Sequence, residues 1–348
     1  MIKMENAKYR SYLFNYSSSY SGGGLKRLMG YISWFHRHGG AHFIVNKRLD
    51  GQLAKFDANT YHYVDISALD KFLNKQTYVK EIIASIGRCD FYYSYNVPMK
   101  DFRANVSWFH LSNVLPLCGT RGLSIPSRRR IELWWLGVLT KQGLRYCDFT
   151  SAESDFSLNL LGLDNGIKRI VSPNGADNQL KFVSSHSNDN SEQLAVVVGT
   201  YFHKSIDESY RVYQHLRRSN PILKLVIIGD QSTIPDHVKQ DPSVILKGII
   251  EQDKTLQMLS SARFYINTSL VENSWNAASE GAILAQESIV SKIPPHLELL
   301  EGSEFTELDE IKTRNPMLRI TRDQVDLDKL KIWDEVISDM IQTAEKKV

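Results

Sequence analysis

Residues 194–230 limit the fold of this chain more than any other stretch. LAVVVG (194–199) is an unbroken apolar run, SIDESYRVYQHLRR (205–218) carries apolar residues at helical spacing, and LKLVIIGD (223–230) is apolar again. Strands without polar alternation are buried on both faces, as in a parallel sheet covered by helices. SVILKG (243–248), ARFYINTS (262–269) and ESIVS (287–291) continue the series. Earlier in the chain, YRSYLFN (9–15), HFIVN (42–46), DFYYS (90–94), ANVSWFH (104–110) and YCDFTS (146–151) predict strands, and LKRLMGYISWFHRH (25–38) predicts a helix. The polar stretch SSHSNDNSEQ (184–193) interrupts the rhythm. The expectation is α/β: two doubly wound domains joined near residues 175–190, with a ligand at the carboxyl ends of the strands, in the crevice between them. From about Asp323 to Val348, Leu327, Leu330, Ile332, Val336, Met340 and Ile341 keep a helical pattern that ends in Lys346 and Lys347, basic residues suited to a helix C-terminus.

The 348 residues suffice for two domains, each with its own core. Lys and Arg total 42 against 39 Asp and Glu, so the net charge of +3 implies no general affinity for nucleic acid. Cys89, Cys118 and Cys147 are odd in number and widely spaced, with neither a disulfide framework nor a metal spacing, which points to a reducing cytoplasm. MIKMENAKYRSYLFNY lacks the apolar core of a signal peptide, and IELWWLGVL (131–139) is far short of a membrane span. In PSRRRIELWWLGVLTKQGLR (126–145), Arg128, Arg129, Arg130, Lys141 and Arg145 flank Trp134 and Trp135. Such a helix lies on an anionic membrane surface, here the inner face of the cytoplasmic membrane, or packs its tryptophans in the core; both readings stand.

LVENSWNAASEGA (270–282) sets Glu272 and Glu280 at the ends of seven small or amide-bearing residues. A helix opening at Ser274 or Trp275 offers free backbone N–H groups to a phosphate. Glu280, further along, can accept hydrogen bonds from vicinal hydroxyls such as those of a ribose, while Glu272 sits nearer the other end of a nucleotide-sugar. Ala277, Ala278, Ser279 and Gly281 let a ligand or a neighbouring helix come close. Spacing alone is also met by an ordinary solvated acidic face. Gly22, Gly23 and Gly24 precede a helix starting near Leu25, so their amides can approach a diphosphate or form a flexible turn. His110 closes a strand, where an imidazole can bond a sugar hydroxyl or a neighbouring side chain. The other nine histidines keep no metal spacing, and DLD (326–328) reads as solvated surface.

In order and spacing, these parts resemble the GT-B glycosyltransferases, specifically the large retaining family numbered four. Its hallmark is Glu, seven residues, Glu after an apolar strand that follows a short helix, as in residues 251–300 here. SKIPPHLELL resembles the Pro-started helix that follows, SPNGAD (172–177) the opening of the second domain, VVVGTYFHKSIDESYRVYQHL its strand, phosphate loop and helix, and SSSYSGGGLKRL (17–28) the first glycine-rich loop. The resemblance implies two Rossmann-like domains facing a central cleft: an acceptor domain (1–175), a donor domain (176–330), and a C-terminal helix (331–348) packing back on the first. It implies retaining, metal-independent hexosyl transfer from a nucleoside diphosphate sugar to a saccharide or lipid-linked saccharide acceptor, without a cofactor, in surface polysaccharide assembly (O-antigen, capsule or exopolysaccharide). Glu272 would hold the donor sugar, Glu280 the ribose and Lys204 the diphosphate, with His110 facing the transferred sugar. Gly22, Gly23, Gly24, Gly199, Thr200, Asn273, Ser274, Trp275 and Asn276 would line the donor site.

One departure matters. The family places an Arg directly after the phosphate-loop glycine, whereas Thr200 follows Gly199 here. That leaves Lys204, with His203 or Arg263 as substitutes for the missing charge. A non-catalytic GT-B partner or scaffold, and a nucleotide-sugar epimerase or hydrolase, are the competing readings. A nicotinamide dehydrogenase fits poorly, because no G-x-G-x-x-G follows either first strand.

Overall fold

The computed structural model describes residues 11–102, 104–119, 123, 125–162, 166–183 and 192–347. The start of the strand expected at 9–15, Val348 and most of the polar stretch 184–193 lie outside the described residues. The chain forms two compact units, one of Met1–Arg121, Pro126–Gly175 and Lys331–Val348, the other of Gly122–Ile125 and Ala176–Leu330.

The first unit runs β1 (Tyr12–Tyr16), α1 (Gly22–Arg37), β2 (His42–Asn46), β3 (Thr60–Val64), α2 (Ala68–Phe72), α3 (Thr77–Ile86), β4 (Phe91–Tyr95), β5 (Val106–Leu111), α4 (Ser127–Gly143), β6 (Phe149–Ala152), α5 (Asp155–Leu160) and β7 (Lys168–Val171). Its strands pair in parallel in the order β3-β2-β1-β4-β5-β6-β7. Central β1 and β4 are buried at every position, which is why they read as apolar runs. The edge strands β3 and β7 are half exposed and mostly exposed, and their polar residues hid them from the sequence pattern.

Helix α1 opens at Gly22, inside the triple glycine, and not near Leu25. Gly22 takes φ +60°, which favours glycine, and a Cβ on Gly24 would press within 3.0 Å of the Ser19 hydroxyl and 3.2 Å of the Tyr95 ring. The glycines therefore let the helix start close against the end of β4.

The second unit runs α6 (Asp177–Val183), β8 (Glu192–Val198), α7 (Ile206–Ser219), β9 (Lys224–Ile228), α8 (Asp236–Lys239), β10 (Val244–Gly248), α9 (Gln252–Ser261), β11 (Ala262–Asn267), α10 (Asn276–Leu284), β12 (Glu287–Ser291), α11 (Pro294–Leu300), β13 (Thr306–Leu308) and β14 (Met317–Thr321). The order is β10-β9-β8-β11-β12-β14-β13, parallel up to β12. The last two strands are antiparallel additions, short and dotted with charge, which no apolar run announces.

The chain ends in α12 (Trp333–Glu345), which belongs to the first unit. The helix does not begin near Asp323. The Asp326 carboxylate accepts the Asp328 N–H (2.9 Å) and closes a tight turn over the exposed DLD segment, so Leu327 and Leu330 fall outside the helix. Val336, Ile337, Met340, Ile341 and Ala344 are buried, and the helix packs on α1. The Trp333 indole lies so close over Gly30 and Gly175 that a Cβ on either would collide with it.

A mid-helix Gly→Ala change ordinarily stabilises by about 0.5–1 kcal/mol. Gly30→Ala is expected to destabilise instead, and to regain the ordinary gain in a Trp333→Ala background. Melting curves of the four proteins of this double-mutant cycle check it; equal effects in both backgrounds would mean that the ring does not rest on Gly30.

Candidate functional site

In each sheet the strand order reverses direction between two neighbours, at β1 and β4 in the first unit and at β8 and β11 in the second. Chains leaving the carboxyl ends at such a point diverge to opposite faces and leave a crevice. In the second unit the two diverging loops are joined by side chains. The Thr268 hydroxyl lies 3.0 and 2.9 Å from the carbonyls of Lys204 and Ser205 and 2.7 Å from the Ser209 hydroxyl. Leu270 N–H donates to the His203 carbonyl at 2.8 Å. The turn needs a left-handed residue at Ser205 (φ +49°) and another at Gly199 (φ +84°).

This stitching brings Lys204 onto Glu272, 68 positions apart, as an ion pair. Their side chains are only 10% and 15% exposed. The Ser269 hydroxyl donates to the same carboxylate oxygen at 2.7 Å. Burial pushes the Glu272 carboxyl up, but Lys204, His203 and the hydrogen bonds from Lys204 and Ser269 outweigh it and hold the group below the usual carboxylate range. His203 moves the other way: burial, helped by Lys204 and opposed by Glu272, lowers it, so the imidazole is neutral at pH 7. Beneath the pair, His296 is fully buried with Nδ1 2.8 Å from the Ser291 carbonyl, and burial brings it down to about 4. Among the described residues, His203 Nδ1 and His296 Nε2 are buried without a hydrogen-bond partner.

Helix α10 opens at Asn276 with Trp275 as its N-cap, one or two residues after the expected start. Ser274 Oγ accepts the Asn276 N–H at 3.3 Å. Its first turn carries no acidic residue. Glu280 lies one turn on and accepts from Gln252 Nε2 at 3.3 Å. Burial first, then the charges of Glu272 and Glu280, push the Tyr265 phenol up, so both carboxylates act on one buried ring. The small residues of the motif serve neighbouring elements: a Cβ on Gly281 would run into Tyr265, and buried Ser279 lies 3.4 Å from Gln179 of α6. Trp275, expected to line the donor site, sits in the apolar core at 8% exposure. Asn273 borders Ser274 and is half-buried.

Thr200, which stands where the family that the sequence resembles has Arg, is buried and donates to the Asp230 carbonyl at 2.9 Å. Its hydroxyl thus braces the loop after β9. Neither substitute supplies the missing charge. His203 is neutral, and Arg263 sits at the amino end of β11, bonded to Gln193 (3.2 Å), about 15 Å of strand from the loops that hold Lys204.

In the first unit the crevice between β1 and β4 receives the start of α1. Among the described residues no side chain caps that helix, and its first turn holds no acid, so Gly22, Gly23 and Gly24 present their amides at its positive end. Below them Arg27 is fully buried. Its guanidinium donates to Tyr93 OH (3.2 Å), Tyr31 OH (3.2 Å), the Ser172 and Pro173 carbonyls (3.1 and 3.2 Å), Asn174 Oδ1 (3.1 Å) and Ser172 Oγ (2.7 Å). His110 is also fully buried. Nδ1 lies 2.7 Å from Ser151 Oγ, Nε2 lies 3.8 Å from Glu153, and the ring stacks on Tyr95 (5.4 Å). Burial and then the charge of Arg27 bring it down to about 3. The expected place of His110, facing a sugar, is corrected: the ring has no exposed face. The reading that puts both α4 tryptophans in the core is corrected as well, since Trp134 is 64% exposed. Among the described residues no three His, Cys, Asp or Glu side chains gather as a metal site, and no helix is long and apolar enough to cross a membrane.

Tyr265, Thr268, Ser269, Arg27 and Glu153 were not singled out from sequence; Thr268, Ser269 and Glu153 follow strand ends, Tyr265 lies within β11 and Arg27 within α1.

The chain is similar to solved structures of known proteins. Anabaena Alr3699/HepE in complex with UDP and glucose is 15% identical, with 85% of this chain and 84% of that one covered and a TM-score of 0.58. An alpha,alpha-trehalose-phosphate synthase (UDP-forming) from Burkholderia vietnamiensis is 10% identical, with 84% and 87% covered and a TM-score of 0.58. The E. coli trehalose-6-phosphate structure bound with UDP-2-fluoro glucose is 10% identical, with 84% and 87% covered and a TM-score of 0.57. No protein-family model matches the chain, and no curated protein matches it. The likeness carries the fold, which is the GT-B fold of glycosyltransferases.

Glu272→Gln would leave the Lys204 ammonium buried without its counter-charge, at a cost of about 3 kcal/mol near pH 7. Because Glu272 titrates below its unfolded value of about 4.3, that advantage is present above this pH and is lost as pH falls through the folded value. The melting temperatures of wild type and Glu272→Gln are therefore expected to differ by several degrees at pH 7 and to converge as pH falls through the folded value. A gap that persisted in acid would remove the ion pair as its cause.

Proposed function

We propose that this chain is a retaining glycosyltransferase, hexosyl-transferring and metal-independent, that takes a sugar from a nucleoside diphosphate carrier. The observation that carries the reading is the buried Lys204–Glu272 pair at the β8–β11 switch point, with Glu280 one helical turn into α10. Lys204 and the opening N–H groups of α10 would take the diphosphate, Glu280 the ribose hydroxyls and Glu272 the sugar hydroxyls. In a front-face reaction the anomeric carbon parts from the diphosphate oxygen and bonds the acceptor oxygen on the same face, while the leaving phosphate takes the acceptor proton. His110 enters only as a positioning residue, through the Tyr95 ring stacked on it. Two of the similar structures hold UDP or a UDP-sugar, which makes UDP the first nucleotide to try. The acceptor on this reading is a saccharide or a lipid-linked saccharide, in assembly of a surface polysaccharide.

Thr200 favours a second reading, a GT-B relative that binds a nucleotide without turnover, because a buried threonine replaces a bidentate cation. Calorimetric titration with UDP, GDP and ADP separates the cases. One nucleotide is expected to bind, and Glu280→Ala to weaken it by about 1–3 kcal/mol, the loss of a charged hydrogen bond. Failure of all three would sink the donor site. Binding to the protein without release of nucleotide from the matching nucleotide-sugar, acceptors supplied, would leave the second reading.

A further inference from the structure

Helix α4 is built inside out. The residues it buries are Leu133, Gly137, Thr140 and Gly143, mostly small, while Ile131 and Trp134 stand 60% and 64% exposed. The inward glycines are needed there, since a Cβ on Gly137 would strike the Pro116 carbonyl and one on Gly143 the backbone of Met99. Ile131 and Trp134 are left outside, and they do not stand alone. Helix α2 packs beside α4, with the Trp135 indole N–H donating to the Phe72 carbonyl at 2.7 Å. It adds Leu69, Phe72 and Leu73, exposed by 62%, 44% and 47%. A contiguous apolar face of this kind on a folded chain marks an interaction surface.

Its rim is basic. Arg128, Arg129 and Arg130 are exposed at the start of α4, Lys141 and Arg145 at its end, and Lys71 and Lys75 beside α2. The acids among them are spent: Glu132 pairs with Arg128 and Arg129 (3.2 and 3.0 Å), and Asp70 with Lys75 (3.7 Å). Next to the patch, and sharing Leu73 with it, opens a hollow of about 380 Å³ lined by Lys80, Lys100, Arg145 and Tyr146, with Asp101 as its acid.

We propose that the α2–α4 face docks on an anionic lipid bilayer, with Trp134, Ile131, Leu69 and Phe72 at the headgroup boundary and a lipid phosphate in the hollow of Lys80, Lys100 and Arg145. Aromatic and branched apolar side chains ringed by long basic ones suit that boundary, where the stems lie in apolar surroundings and the charges meet anionic headgroups. The purpose of the docking rests on the lipid-linked acceptor proposed above; the surface itself does not.

The test uses the full chain with phosphatidylcholine vesicles, with and without phosphatidylglycerol. Wild type is expected to sediment with the anionic vesicles alone and to be released by high salt. Trp134→Ser should weaken binding about tenfold or more, and Lys100→Glu with Arg145→Glu should remove the preference for anionic lipid. Trp134 is exposed, so its variant is expected to fold; unchanged nucleotide titration on the same protein checks this, and keeps a failure here separate from a failure of the donor site. Wild type that ignores both vesicle types overturns the proposal, as does Trp134→Ser binding equally well. Self-association lost in Trp134→Ser, without vesicle binding, overturns it in favour of a second copy of the chain.

Discussion

An ammonium group withdrawn from water costs several kcal/mol unless an opposite charge meets it with good geometry. Lys204 is buried and is met by Glu272. To bring the two together, the loop after β8 and the loop after β11 must run side by side, and Thr268, Leu270 and the left-handed Ser205 hold them there. Everything polar in this corner of the second unit follows from that arrangement. The ionised carboxylate needs the Ser269 hydroxyl, the imidazole beside Lys204 must stay neutral, and the Tyr265 phenol keeps its proton next to two carboxylates.

The first unit solves the same problem without an ion pair. Arg27 spends its N–H groups on hydroxyls and carbonyls from Tyr31, Tyr93 and the segment Ser172 to Asn174. That segment is where the chain leaves the unit, so the guanidinium fixes the exit against α1. Trp333 lies over the same place, its indole 5.9 Å from the Arg27 guanidinium. SPNGAD resembles the opening of a second domain in the sequence. In the structure Gly175 makes room for that indole, a reason of packing and not of backbone freedom.

The central strands were legible because burial on both faces demands apolar runs, and β2 and β12 fall on the residues the runs mark. The edge strands β3, β7 and β13, and β14 beside the last of them, were not, because their solvated positions let Lys, Arg, Glu and His in. Helical spacing over-reached at the C-terminus, where Leu327 and Leu330 have the right period but Asp326 offers the backbone a competing turn. In the site, the glutamates and Lys204 were legible through their motif. Which side chains surround them was not, since Thr268, Ser269 and His296 become neighbours only through the sheet order. The fate of Trp275 was also hidden: motif position suggested a ligand contact, and core packing claimed the side chain.

Charge balance links the site to its chemistry. A diphosphate brings more negative charge than one ammonium can neutralise, and here no second cation comes from the position of Thr200, from neutral His203 or from distant Arg263. On the proposed reading the balance would fall to uncharged donors at the start of α10, whose first turn holds no acid. Dipoles of that kind are weak in water and strong where water is excluded, because their interaction with an anion scales inversely with the local dielectric. A site that lacks the second cation must therefore be drier than one that has it. The low exposure of both Lys204 and Glu272 meets that requirement of the proposed reaction.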